Sequence, residues 1–157
     1  IFSNRFSNMR NPEISPIPTY QSSWEGPDDP LTQKFPIQLI SPHSKARANS
    51  QFDNIDPINK MGDDRLWIHF QDADMRNIQD GAAVHVYNER GRMLATANVT
   101  DRIIPGVASI DQGQWYAPDE GGIDSGGCAN MLTNDKASPA GAFPSNTCLV
   151  QIEKCAQ

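Results

Sequence analysis

"AAVHVYNERGRMLATANVTD", residues 82–101, is the stretch whose reading decides the fold. Val84 and Val86 alternate with His85 and Tyr87, "NERG" turns the chain, and Met93, Ala95, Ala97 and Val99 then alternate with Leu94, Thr96 and Asn98. A period of two sends successive side chains to opposite faces of a strand, whereas a helix would repeat its apolar residues at three and four. The segment is therefore predicted to be a β-hairpin with one buried face.

Short apolar runs bounded by turn residues lie on either side of it. "IQLIS" (37–41) and "LWIHF" (66–70) read as strands, and "QDADMRNIQ" (71–79) as a short helix closed by Asp80 and Gly81. Downstream, "PGVASI" (105–110) gives a further strand, and "TCLVQIEK" (147–154) a last one that alternates through Leu149, Gln151 and Glu153. Residues 111–146 between them are rich in Gly, Asp, Asn, Ser and Pro, and a loop of that length inside one domain usually carries function. The class is mainly β with few short helices, and closure into a barrel would remove the exposed edges of so many short strands.

The 157 residues fit one core. A net charge of -6 argues against nonspecific nucleic-acid binding, which needs a basic face. No apolar run approaches the roughly 18 residues that span a bilayer, so direct membrane insertion is not expected. Cys128, Cys148 and Cys155 are too widely spaced for a C-x2-C metal site and read as thiols or at most one pair. The opening "IFSNRF" has no initiator methionine and starts on an apolar pair, as a fragment of a longer chain would. Residues 11–30, "NPEISPIPTYQSSWEGPDDP", hold five prolines and cannot form a helix or inner strand. Residues 1–34 are read as an extended, Pro-rich interdomain lead-in with Tyr20 and Trp24 as anchors, a disordered linker being the alternative, and 35–157 as the barrel domain.

The sequence offers no nucleophile elbow, P-loop or dinucleotide glycine fingerprint. His69 and His85 fit plain structural roles on strands. His43 differs, because it leaves a strand in the polar loop "SPHSKARANSQ" (41–51), where Ser41, Ser44, Lys45, Arg47, Asn49, Ser50 and Gln51 can converge as donors. Pterin, guanine and phosphate groups call for such a mixed set: cations for pyrophosphate, amides for heterocycle edges. An ordinary solvated loop has the same composition. A second polar cluster, "GGCANMLTND" (126–135) with "SNTC" (145–148), suits either close backbone approach to a ligand or a plain turn. Trp115 and Tyr116 in "GQWYAPD" can stack on a ring or cover the barrel end.

Taken in order, "FPIQLISPHSKARANSQFDN", "DADMRNIQDGAAVHVYNERG", "VTDRIIPGVASIDQGQWYAPD", "GGCANMLTNDKASP" and "NTCLVQIEK" resemble the C-terminal molybdopterin-dinucleotide-binding domain of the dimethyl sulfoxide reductase family, over residues 35–154. The lead-in "SPIPTYQSSWEGPDDPL" is similar to the segment before this domain in the anaerobic catalytic A subunits, and "IFS" to the end of a preceding strand. The resemblance implies a six-stranded double-psi β-barrel that closes over bis(molybdopterin guanine dinucleotide) molybdenum held by the rest of the subunit. The family's S-P-H element matches Ser41, Pro42 and His43, with Lys45 and Arg47 following, and its S-Q matches Ser50 and Gln51. A histidine common before that serine is here Asn49. The cofactor-facing asparagine matches Asn130, the amide before the last strand matches Asn146 beside Thr147, and Trp115 joins the set as a stacking residue.

The molybdenum ligand, a [4Fe-4S] cluster and an export signal would lie in other parts of such a subunit, so no catalytic or metal-binding residue and no bound cofactor is expected for these residues alone. The complete enzyme would reduce dimethyl sulfoxide or related S- or N-oxides in anaerobic respiration. It would do so beside an iron–sulfur electron-transfer subunit and a membrane anchor, at the periplasmic face. Selenate, nitrate and formate branches share the domain. A decarboxylase of the aspartate type on the same fold needs a Gly-Ser cleavage site, which this sequence lacks. A stand-alone β-barrel binding module is the remaining alternative.

Overall fold

The computed structural model describes residues 2–143 and 146–156; Ser145 of "SNTC" lies outside them. Six strands form: β1 (Ile37–Ile40), β2 (Leu66–His69), β3 (Ala83–Tyr87), β4 (Arg92–Thr100), β5 (Val107–Ser109) and β6 (Thr147–Lys154). They close into a barrel in the order β1-β5-β2-β4-β3-β6. β1 runs parallel to β5 and β2 parallel to β4, while the other four pairings are antiparallel. The predicted hairpin is β3 and β4, with Val84 opposite Ala95 and Val86 opposite Met93.

The inner face follows the period of two. Ile37 faces Val150 and Leu39 faces Cys148 across β1 and β6, and Ile68 faces Ala108 across β2 and β5. All of these are buried in one apolar cluster with Leu66, Val84, Val86, Met93 and Ile152. At about 1.5–3 kcal/mol for each large side chain taken out of water, that interior is the main stabilising term. Among the described residues, closure leaves no long strand edge open to further pairing.

The helix expected over 71–79 is shorter, α3 running Phe70–Asp74. Its start comes from His69, whose Nδ1 accepts the Gln71 N–H at 3.2 Å. Its stop comes from Asn77, at φ 55°. The Ile78 N–H then reaches the Ala73 carbonyl and the Asn77 N–H the Asp74 carbonyl, the paired bonds that end a helix on a left-handed residue. Two other short helices occur, α1 (Asn4–Asn8) and α2 (Asp56–Asn59), with 3-10 turns at Pro30–Gln33 and Ala129–Met131.

In the lead-in, Phe2 and Ser3 are not in a strand, and the expected aromatic anchors are exposed, Tyr20 by 85% and Trp24 by 39%. The anchor is Glu25, buried with its carboxylate on the Arg90 guanidinium (2.8 and 2.7 Å), the Leu149 N–H (3.0 Å) and the Asn134 amide (3.2 Å). A guanidinium fork and a strand N–H offer a carboxylate a better socket than an aromatic ring would find on this polar rim. Burial pushes the Glu25 carboxyl up, but bonds from Arg90, Leu149 and Asn134 outweigh it and hold the group below its ordinary value.

Candidate functional site

The parallel pairing of β1 and β5 makes their following loops leave the barrel side by side. The loop after β1 starts with Ser41, buried, its N–H on the Asn146 carbonyl at 3.0 Å, so the start of β6 is tied to it. The Pro42 carbonyl accepts the Gln112 N–H at 2.9 Å, and the Gln112 side-chain amide donates to His43 Nδ1 at 2.8 Å. The same amide lies 3.4 Å from Asn49 Oδ1, so Gln112 bridges two of the predicted residues. Asn49 sits at φ 55°, and the Gln51 N–H closes that turn on the Ala48 carbonyl.

Arg47 faces inward. Its side chain is fully buried, with Nη1 and Nη2 on the Asp64 carboxylate at 2.9 and 2.6 Å and Asp53 Oδ1 at 3.3 Å. The hydrogen bonds it donates to Asp64 raise its pKa against the opposing effect of burial. Its charge is spent on these carboxylates and does not point to the cleft described below. Asp111 nearby has its carboxyl pushed up, first by burial and further by Asp64 and Asp63, against a bond from Ser44 and the charge of Arg47.

The opposite wall is built by Asp124, a fully buried residue that the sequence reading passed over. Its Oδ1 accepts the N–H groups of Ala117 and Gly126 at 2.7 and 3.0 Å, and its Oδ2 that of Cys128 at 2.6 Å. Gly126 lies so close to the Trp115 carbonyl that a Cβ there would come within 1.8 Å of it. Trp115 is pinned at both ends, its backbone N–H on Asp53 Oδ2 (2.9 Å) and its indole N–H on the Ser50 carbonyl (2.7 Å), while half its surface stays exposed.

Between these walls lies an open cleft of about 570 Å³, lined by Asn49, Ser50, Gln112 to Tyr116 and Cys128 to Asn130. It gathers Asn49, Ser50, Trp115 and Asn130 from the predicted set, and adds Gln112 and Gln114, which the sequence reading did not single out. The signal for them was positional: "DQGQ" follows β5 as "SPHS" follows β1. A neighbouring cleft of about 440 Å³ takes Pro42, His43 and Lys45 together with Arg65, Trp67 and Asp111. Gln51 and Asn146 are exposed beside these loops, and Thr147 stands opposite Ile40, its hydroxyl bonded by the Gln38 amide. The three cysteines are free thiols; burial pushes that of Cys148 up to about 12.

Residues 37–149 match the molydopterin dinucleotide binding domain family. The chain belongs to that family. Dimethyl sulfoxide reductase DmsA of Haemophilus influenzae is 40% identical to it over 142 residues, covering 90% of this chain and 18% of that protein. The probable dimethyl sulfoxide reductase chain YnfF of Escherichia coli is 44% identical over 144 residues, 90% of this chain and 18% of that one. The trimethylamine-N-oxide reductase of Haemophilus influenzae is 37% identical, covering 84% and 18%. The chain thus spans under one fifth of the length of these relatives. Among solved structures, acetylene hydratase from Pelobacter acetylenicus superposes with a TM-score of 0.79 at 18% identity, covering 98% of this chain and 23% of that one, which bears on the fold alone.

For the dinucleotide that names the family, the donor set fits. Asparagine and glutamine amides present both donors and acceptors to heterocycle edges, and Trp115 offers a fixed ring face. His43 and Lys45 stand in the next cleft, linked through Gln112, where an anionic part of the same ligand can be met.

Proposed function

We propose that residues 35–157 are the C-terminal wall of a molybdenum oxidoreductase subunit, joined by residues 1–34 to its other domains, and that they hold bis(molybdopterin guanine dinucleotide). The cleft between the loops after β1 and β5 and the Ala129–Met131 turn carries this reading. Asn49, Ser50, Gln112, Gln114, Trp115 and Asn130 hold the heterocyclic part, and His43 and Lys45 an anionic part. The bound group supplies two-electron chemistry for reduction of dimethyl sulfoxide or a related S- or N-oxide; these residues orient it and exclude water from one side. The substrate class is supported by the names of the relatives. The [4Fe-4S] cluster, the electron-transfer and anchor subunits and the periplasmic face belong to this proposal, and among the described residues no helix is long and apolar enough to cross a membrane.

The test is Asn130→Ala in the complete subunit, read as GMP and molybdenum released per polypeptide. Losing one buried donor to a polar ligand group costs about 1–3 kcal/mol, so the load should fall severalfold. The thermal midpoint of the 157-residue chain should barely move, since Asn130 is exposed there. A full load in the variant subunit refutes the reading.

A further inference from the structure

Arg47 invites a ligand role by its place in the sequence, yet its guanidinium is occupied. Asp64 takes two of its N–H groups in a bidentate pair, which already satisfies much of a buried cation. Asp53 is drawn in besides, 3.3 Å from Nη1 through Oδ1, while its Oδ2 accepts the Trp115 N–H at 2.9 Å. The chain of contacts runs from Asp64, just before β2, through Arg47 and Asp53 to Trp115, and returns through the indole N–H to the Ser50 carbonyl. Arg47 Nε, buried without a hydrogen-bond partner, lies against Gly113, at the point where Gly113 passes the Asn49 carbonyl. The segments so joined supply Asn49, Ser50 and Trp115 to the cleft, and none of the network belongs to the apolar interior.

We propose that Arg47 and Asp53 are a positioning pair, which fixes the Trp115 ring and the Asn49 turn at the spacing that a planar heterocycle of the dinucleotide needs. The inference rests on the cofactor reading above and deepens it, giving Arg47 a role without contact to the ligand. Asp53 is the transmitting member, because it touches both the cation and the tryptophan backbone. Its charge draws it to Arg47 and its second oxygen holds Trp115. An asparagine would keep an acceptor for Trp115 but lose the attraction to Arg47, and an alanine would lose both.

The experiment uses the complete subunit with Asp53→Ala, Asp53→Asn, Arg47→Lys and, as a reference, Asn130→Ala. Hydrogen exchange is followed by mass spectrometry in peptides covering 111–117 and 66–70, and GMP is counted per polypeptide. For Asp53→Ala, exchange in 111–117 should rise about tenfold with 66–70 within about twofold of the parent, and GMP content should fall below half. Asp53→Asn and Arg47→Lys should fall between parent and Asp53→Ala in both readouts. The proposal is overturned if exchange in 111–117 stays at the parent rate, if 66–70 loosens to the same degree, or if exchange rises while the GMP load stays full and Asn130→Ala loses its own. A full load in Asn130→Ala refutes the cofactor reading instead, and the exchange result then decides alone whether the pair holds Trp115.

Discussion

Gly113 sets how closely the loop after β5 approaches the loop after β1. It lies at φ 103°, and a Cβ there would stand 1.9 Å from the Asn49 carbonyl oxygen, a backbone atom that cannot move aside without moving the loop. Gly106, at φ 79°, has nothing within 4 Å of the same position. Both pay the conformational cost of a side chain in that region, about 1–2 kcal/mol, but only Gly113 adds a collision. Gly113→Ala should therefore destabilise the chain by at least about 2 kcal/mol more than Gly106→Ala in urea unfolding, the cost being of the overpacking kind. Equal losses would mean that the two loops are not held in contact. "DQGQW" announces a glycine in a loop, but that it is pressed against Asn49, far back along the chain beyond β2, β3 and β4, follows only from the parallel pairing of β1 and β5.

Glu25 does for the elements what Gly113 does for the loops. Its carboxylate joins the lead-in to the β3–β4 turn through Arg90, to β6 through the Leu149 N–H and to the turn after Asn130 through Asn134. Its pKa is depressed on folding, so it stabilises the native state fully above the ordinary value of 4.5, and that contribution is lost as pH falls through the lower folded value. Glu25→Gln should cost about 2 kcal/mol near neutral pH, less than a wholly buried pair because Arg90 is partly exposed. The gap in thermal midpoint between parent and variant should narrow as pH falls below 4.5 and close once it has passed the lower folded value; a gap that stays constant down to acid would show that the charge is not what holds the latch. The strands were legible because alternation at Val84, Val86, Met93 and Ala97 is a local signal of burial. Glu25 and Asp124 were not, because a buried carboxylate is recognised by its donors, and those donors come from distant segments. For the site, the loop 41–51 showed its polarity in sequence but not its division: Asn49 and Ser50 to one cleft, His43 and Lys45 to another, and Arg47 to neither.

At the scale of the whole molecule, folding and binding are unequally complete. The barrel closes on its own interior, so the chain has what it needs to be stable, whereas the cleft is an open wall whose lining, among the described residues, contains no Lys or Arg. A guanine placed there gains stacking on one ring, about 1–3 kcal/mol, and a few hydrogen bonds worth about 1 kcal/mol each in net terms. Against this stands an association cost of at least about 4 kcal/mol, with the phosphate left in water. The isolated 157-residue chain should accordingly bind GMP with a Kd no tighter than about 1 mM, seen as a shallow, unsaturated change in tryptophan fluorescence. Trp115→Phe should remove most of that response, since the other two tryptophans, Trp24 and Trp67, lie outside the cleft. Saturation near about 10 µM would demand some 2.7 kcal/mol more than this wall can supply, and would mean that the cleft is a complete site rather than one side of a larger one.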